Sequence, residues 1–298
     1  MSDVVYLAPR SLDDALAALR DLGSAATILA GGQDVVPLLN RGQLAPSHLL
    51  DICSLSALAA ITDGRTLRSE RVITIGALAT HATIVRHPLI RRWVPLLSEA
   101  AGQIGGGVQV QNRGTIGGAV SAANPAYDLP ACLVALDAVC VMTGAQGTRR
   151  VPAASYFIGP GRTARRPEEL LMAFEVAPQA THSGSAYVKL RFTDGGYNIA
   201  GAACVLTVAA DGICAKAALA LSGVAEVPLR LRSVEAVLTG ARITDDTLAG
   251  LAAAAFSSVD APISDVMADG DYRRAMAGAM ARQAVERASA RALSGGEP

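Results

Sequence analysis

The chain has 298 residues, 51% of them hydrophobic, with 26 basic side chains balanced by 26 acidic ones. That length and apolar content call for a globular protein with core enough for two or three domains and leave no case for disorder. Zero net charge, without a basic cluster interleaved with aromatics, argues against nucleic acid or an anionic membrane as the main partner. No apolar run is long enough to span a bilayer, and residues 1–6 lack a basic region followed by an apolar core, so the cytoplasm is the expected location.

From Ser11 to Leu22, the residues Leu12, Ala15, Leu16 and Leu19 recur at helical spacing behind a Ser11 cap, with Asp14 three residues on and Gly23 just past the end. Residues 27–30 predict a short buried strand, 31–34 a turn, 35–40 a helix with Pro37 in its first turn, and 48–52 the next strand. Residues 1–57 then form a small parallel βαβ-type unit.

A central domain follows over 58–176, with strands at 71–75 and 139–143 and helical stretches near 84–90 and 96–104. Gly105-Gly106-Gly107 leads through an apolar run at 108–112, read as extended, into a second glycine turn. Residues 128–136 predict a helix with Asp128 as its N-cap. The third region, 177–298, opens with a small-residue loop at 179–185. Antiparallel strands are expected at 186–191, 199–209 and 215–221, the last two joined by an Asp211-Gly212 hairpin turn. Helices are expected at 233–238, 245–256 and 272–291. This order argues for an α+β fold rather than one doubly wound sheet.

Cys53, Cys132, Cys140, Cys204 and Cys214 are odd in number and never spaced Cys-x-x-Cys, so they read as small core residues rather than a disulfide framework or metal site. His48, His81, His87 and His182 are scattered without acids or cysteines at ligand spacing, and no metal is expected. Only Lys189 and Lys216 are lysines, so a lysine kept in so arginine-rich a chain is of interest.

Two glycine pairs stand out, Ala30-Gly31-Gly32-Gln33-Asp34-Val35-Val36 and Thr115-Ile116-Gly117-Gly118-Ala119. Paired glycines also serve ordinary tight turns. Each pair here, however, precedes an apolar helical run, and a backbone without Cβ can approach an anion to which a helix start offers free N–H groups. Two such turns suit a diphosphate.

Together with residues 112–130, 155–163, 167–171 and Asp271-Tyr272-Arg273-Arg274, these motifs closely resemble the flavoprotein, or medium, subunit of the molybdenum hydroxylases. The resemblance runs through nearly the whole chain in order. It implies the FAD-binding fold of the vanillyl alcohol oxidase type: a small N-terminal α/β unit, a larger α+β domain, and a C-terminal antiparallel sheet with helices. FAD would lie non-covalently between the first two. The backbone of Ala30, Gly31, Gly32, Gln33, Asp34, Val35 and Val36 would face the pyrophosphate, and Thr115, Ile116, Gly117, Gly118 and Ala119 would supply a second set of amides. The Asp34 side chain would cap its helix or bond ribose, since a carboxylate is unfavourable beside diphosphate. Asp128 would accept from ribose or adenine-side groups, Leu171 would pack near the cofactor, and Lys189 would stand near the flavin. Gly196 occupies a position where many relatives have an acid, and Asp194 lies two residues earlier.

The resemblance further implies an oxidoreductase subunit that is active only with partners. These are a large molybdopterin-binding subunit and a small subunit carrying two [2Fe–2S] clusters, assembled as a dimer of heterotrimers, with this chain passing electrons to a terminal acceptor. The alternative is a self-sufficient FAD-dependent reductase or oxidase of the same fold, for which the sequence offers no substrate-side acid, base or nucleophile.

Overall fold

The computed structural model describes residues 4–66 and 69–294; the first three residues of the stretch read for a leader lie outside it. At the N-terminus are β1 (Val5–Leu7), α1 (Leu12–Leu22), β2 (Ala26–Leu29), α2 (Val35–Asn40) and β3 (His48–Asp51). The strands form a parallel sheet in the order β1-β3-β2. Ser11 Oγ accepts the Asp14 N–H at 3.1 Å, and α1 buries Ala15 and Leu19 in one core with Leu50 and Ile52. β1 escapes the sequence reading because three residues are too few to display a period.

The central part runs β4 (Ile61–Arg65), β5 (Arg71–Gly76), α3 (His81–Arg86), α4 (Pro88–Trp93), α5 (Pro95–Gly102), α6 (Gly107–Arg113), α7 (Ile116–Ala122), α8 (Asp128–Ala135), β6 (Val139–Gly144), β7 (Gly147–Pro152), β8 (Phe157–Gly159), β9 (Arg162–Thr163) and β10 (Leu170–Val176). Five strands pair antiparallel in the order β4-β5-β10-β6-β7. The single helical stretch expected at 84–90 is two helices, because Pro88 has no N–H to continue α3.

Two expectations need correction here. The run before the second glycine pair is helical, not extended: Gly106 in the left-handed region (φ 84°) starts α6, and Val108 is 70% exposed, so its alternating valines face no core. Asp128 is not an N-cap either. Tyr127 holds the extended cap position without a side-chain capping bond, and Asp128 is the first helical residue, buried like every other residue of α8.

The C-terminal part contains β11 (Ser183–Arg191), β12 (Asn198–Val208), β13 (Cys214–Ser222), β14 (Leu229–Arg230), α9 (Arg232–Leu238), α10 (Asp245–Ser257) and α11 (Gly270–Leu293). The strands pair antiparallel in chain order. Gly212 turns the β12–β13 hairpin at φ 82°, as its place in Asp-Gly predicts. β11 starts earlier than expected, since Ser183 already pairs with Thr207. α11 starts at Gly270, where Asp269 accepts the Tyr272 N–H at 2.7 Å.

Alternation gives this sheet two buried faces. Ala186, Val188, Ala202, Leu219 and Leu221 share a core with the alanines of α11. On the opposite face, Tyr187, Ala203 and Ala220 enter the central core with α8. Four cysteines are buried as expected, whereas Cys53 is exposed and its thiol donates to the Ala30 carbonyl at 2.9 Å. Among the described residues no helix is long and apolar enough to cross a membrane.

The approach of α11 to β11 is close enough that a Cβ on Gly184 would lie 1.9 Å from the Ala288 carbonyl oxygen. Gly184→Ala is therefore expected to cost about 1–3 kcal/mol of stability through overpacking. Urea unfolding that matches the wild type would contradict this packing.

Candidate cofactor site

The two glycine turns meet. A Cβ on Gly31 would fall 1.9 Å from the Arg113 carbonyl oxygen and 3.0 Å from the Gly114 Cα, so main chain packs on main chain across the boundary between the N-terminal and central sheets. Gly32 needs its glycine for another reason, a φ of 73°. Gly117 sits with its own Cβ position 2.6 Å from the Ala77 Cβ and carbonyl oxygen. Gly118 differs from these: a Cβ there would meet only its own capping Thr115 Oγ1 at 3.0 Å.

A cleft of about 890 Å³ opens along this junction, lined from both lobes and by Gly195, Gly196 and Tyr197. Volume and mixed lining are those of a small-molecule site. Gly105 packs against the loop of Gly195 to Tyr197, where a Cβ would meet the Gly195 carbonyl oxygen at 1.7 Å.

The amides of the two turns are in unlike states. At the second turn, Ile116 N–H donates to Ala79 O (3.0 Å), Gly117 N–H to Ala77 O (2.8 Å), Ala119 N–H to Thr115 O (3.0 Å) and Gly118 N–H to Thr115 Oγ1 (3.0 Å). The expectation that this turn supplies a second set of free donors is thus corrected for Ile116 to Ala119, whose amides an ordinary Thr cap and the run 77–79 consume; among the described residues the Thr115 N–H alone of this set has no protein acceptor. At the first turn, among the described residues, the amides of Gly31, Gly32, Gln33, Asp34 and Val35 have no protein acceptor. Free N–H groups of this kind can receive an anion.

Asp34 does not cap α2. Its backbone is already helical (φ −103°, ψ −49°), so the side chain cannot turn back, and it accepts instead from the Tyr127 hydroxyl. The Tyr127 ring stacks on Tyr197 at 5.8 Å, and burial together with Asp34 pushes the Tyr127 hydroxyl pKa up. These three side chains link the first turn, the start of α8 and the loop after β11.

Asp128 reaches the cleft wall from the first position of α8. Its Oδ1 accepts from the Tyr187 hydroxyl at 2.6 Å, and Lys189 Nζ stands 3.1 Å from both carboxylate oxygens. Burial pushes this carboxyl pKa above its usual range while the ammonium pulls against it. Lys189, 2% exposed, lies behind Asp128 and is not on the cleft wall. Of the other expected residues, Ala30 to Val35, Thr115, Gly117, Gly118, Ala119 and Leu171 line the cleft, whereas Val36 and Ile116 do not. Gly196 also lines it, while Asp194 is 97% exposed and ion-paired with Arg191.

Sequence reasoning missed Tyr127, Tyr197, Ser121, Arg162 and His81, all on the wall. His81 is 4% exposed, its Nδ1 has no partner, and desolvation lowers its pKa to about 4. A single histidine among apolar residues carries no sequence signal of this kind. These groups fit FAD: free amides for an anion, an ionisable acceptor for hydroxyls or N–H groups, and an apolar wall for a ring.

Comparison with known proteins agrees. Residues 2–179 match the family described as FAD binding domain in molybdopterin dehydrogenase, and residues 185–288 match the CO dehydrogenase flavoprotein C-terminal domain. The chain belongs to this family of FAD-binding medium subunits of molybdenum hydroxylases; it is an oxidoreductase subunit, its cofactor is FAD, and its fold is the FAD-binding one expected. It is 36% identical over 287 residues to the carbon monoxide dehydrogenase medium chain of Afipia carboxidovorans, covering 96% of this chain and 97% of that one. With subunit alpha of the 6-hydroxypseudooxynicotine dehydrogenase complex of Paenarthrobacter nicotinovorans it shares 35% identity, covering 98% and 95%. The carbon monoxide dehydrogenase structure from Hydrogenophaga pseudoflava superposes with a TM-score of 0.91 at 35% identity, covering 97% of this chain and 98% of that one.

The depressed His81 pKa has a stability consequence. Above its ordinary value of 6.5 the ring is neutral folded or unfolded and costs nothing; below it the unfolded chain takes up a proton that the folded chain refuses down to about pH 4. Stability of the flavin-free protein should therefore fall by something on the order of 3 kcal/mol across that window, and His81→Gln should flatten the fall. Identical pH profiles from urea unfolding would refute it.

Proposed function

We propose that this chain is the electron-relay subunit of a three-component molybdenum hydroxylase. A substrate is oxidised at molybdenum on a large partner, electrons cross [2Fe–2S] clusters on a small partner, and this chain delivers them to a terminal acceptor, two such trimers forming the complete enzyme. FAD, when bound, accepts electrons singly and releases them in pairs. The named relatives belong to enzymes for substrates as unlike as carbon monoxide and 6-hydroxypseudooxynicotine, which suits a chain that never touches the oxidised substrate.

The observation that carries the reading is the cleft between two lobes whose glycine turns touch, with five amides on one side that have no partner among the described residues. Gly31 to Val35 would hold the diphosphate. Thr115 to Ala119 would give it room, Gly118 being the residue that opens the wall. Asp128 would accept from a hydroxyl or ring N–H, Leu171 would pack on the cofactor, and Lys189 would act through Asp128 by keeping it charged. Asp34, bonded to Tyr127, would hold the first turn rather than touch phosphate.

Produced with the polypeptides encoded beside it, the chain is expected to purify as a yellow complex containing molybdenum and iron. A chain that purifies alone, and whose flavin is bleached by a reducing substrate without partners, would contradict the relay. Within the chain, Gly118→Val should weaken FAD retention by roughly a hundredfold or more while lowering the melting temperature of the flavin-free protein only modestly, because that side chain enters the cleft and crowds only the Thr115 cap. Normal flavin content would refute the assignment of that turn.

A further inference from the structure

Behind the cleft wall lies a buried polar cluster that extends beyond the Asp128 and Lys189 pair. The Tyr187 hydroxyl donates to Asp128 and accepts from Asn198 Nδ2 at 2.7 Å. The same Asn198 Nδ2 donates to Ser222 Oγ at 3.0 Å, and the Ser222 and Tyr187 hydroxyls stand 3.2 Å apart. None of Tyr187, Asn198 and Ser222 lines the cleft, and each is at least nine-tenths buried.

The sheet leaves space for this cluster. Lys189, Gly201 and Ser222 are register partners across β11, β12 and β13. A Cβ on Gly201 would lie 2.6 Å from Ser222 Oγ and 2.7 Å from the Tyr187 hydroxyl, so any larger residue in this row would displace the network. Its strand ends are fixed from outside. Arg273, 1% exposed and part of the Asp271 to Arg274 motif, donates through Nη1 to the carbonyls of Ile199 and Gly223, both at 2.7 Å, and through Nη2 to Asp265 at 2.6 Å. Those carbonyls belong to the residues next to Asn198 and Ser222.

We infer that Tyr187, Asn198 and Ser222 are positioning residues that aim the Asp128 carboxylate into the cleft, with Arg273 locking the strand ends that carry them. The C-terminal sheet then governs FAD retention from behind the wall. The inference rests on the cleft being the FAD site. Physically, a carboxylate with Lys189 against both oxygens and a phenol on one is fixed in rotation, and the lone pairs left over point where a ligand donor must come. Without the phenol it can swivel about the ammonium.

The test is a double-mutant cycle on the full-length flavin-free chain, titrated with FAD by fluorescence. Tyr187→Phe should raise the FAD dissociation constant roughly tenfold, the loss of one hydrogen bond to a charged group. In an Asp128→Ala/Lys189→Met background, which removes both charges together and with them the acceptor, the same change should add less than about twofold, because Tyr187 acts only through that carboxylate. The visible circular dichroism of the flavin still bound should also change with Tyr187→Phe. Should Tyr187→Phe fail to fold, Ser222→Ala, which removes only the far end of the chain of bonds, should raise the constant about threefold with the same non-additivity. A wild-type chain that takes up no FAD overturns the cleft reading and this inference with it. A wild type that binds FAD, with a variant that binds equally well or loses affinity additively with Asp128→Ala/Lys189→Met, overturns the positioning role alone.

Discussion

The carbonyl of Arg113 occupies the space a side chain at position 31 would need. That single main-chain contact brings the N-terminal parallel sheet against the turn between α6 and α7, and the cleft is what remains open beside it. Gly117 repeats the device one step further in, where the Ala77 main chain takes the Cβ position and the run 77–79 accepts the amides of Ile116 and Gly117. The glycines of the two motifs therefore divide their work. Gly31 and Gly117 let backbone meet backbone, Gly32 makes the turn at positive φ, and Gly118 keeps a wall low. Among the described residues the first turn keeps five free amides and the second only that of Thr115, so an anion in the cleft would find most of its donors on one side and most of its room on the other.

Charge inside the cleft is managed by the third part of the chain. A buried carboxylate alone would take up a proton. Lys189, its side chain 2% exposed, opposes that from 3.1 Å on both oxygens, and the geometry explains why lysine persists in a chain that uses arginine nearly everywhere else. A compact ammonium can sit equidistant from both oxygens of Asp128 under the Tyr187 hydroxyl, whereas a planar guanidinium would need room that the adjoining strand, with Gly201 already empty of side chain, has given to the hydroxyl cluster. Removing either partner of such a pair leaves a bare buried charge, an event that costs about 3–5 kcal/mol.

Much of this was legible in the sequence where the signal is local. Ser11 with Asp14 and Gly23 announces α1 at both ends, Asp211-Gly212 announces the hairpin, and the glycine motifs with their neighbours announce the family and its cleft. What could not be read is set by contacts between residues far apart in the chain. Asp128 looks like a cap because a carboxylate before an apolar helix usually is one; its partner lies 61 residues on, in a strand whose face toward α8 no local pattern reveals. Asp34 misleads in the same way, its partner Tyr127 being 93 residues distant. The valines before the second turn alternate like a strand, yet Val108 faces solvent and Val110 the cleft, and a left-handed Gly106 decides the segment instead. His81 carries no motif at all; burial alone makes it distinctive.

The account turns on the free amides of the first turn gripping the dinucleotide's diphosphate, and hydrogen exchange reads those amides directly. Adding FAD to the flavin-free chain should slow exchange at Gly31 to Val35 strongly and leave Ile116 to Ala119, already bonded within the protein, little changed. Protection confined to the second turn, or to neither, would contradict it.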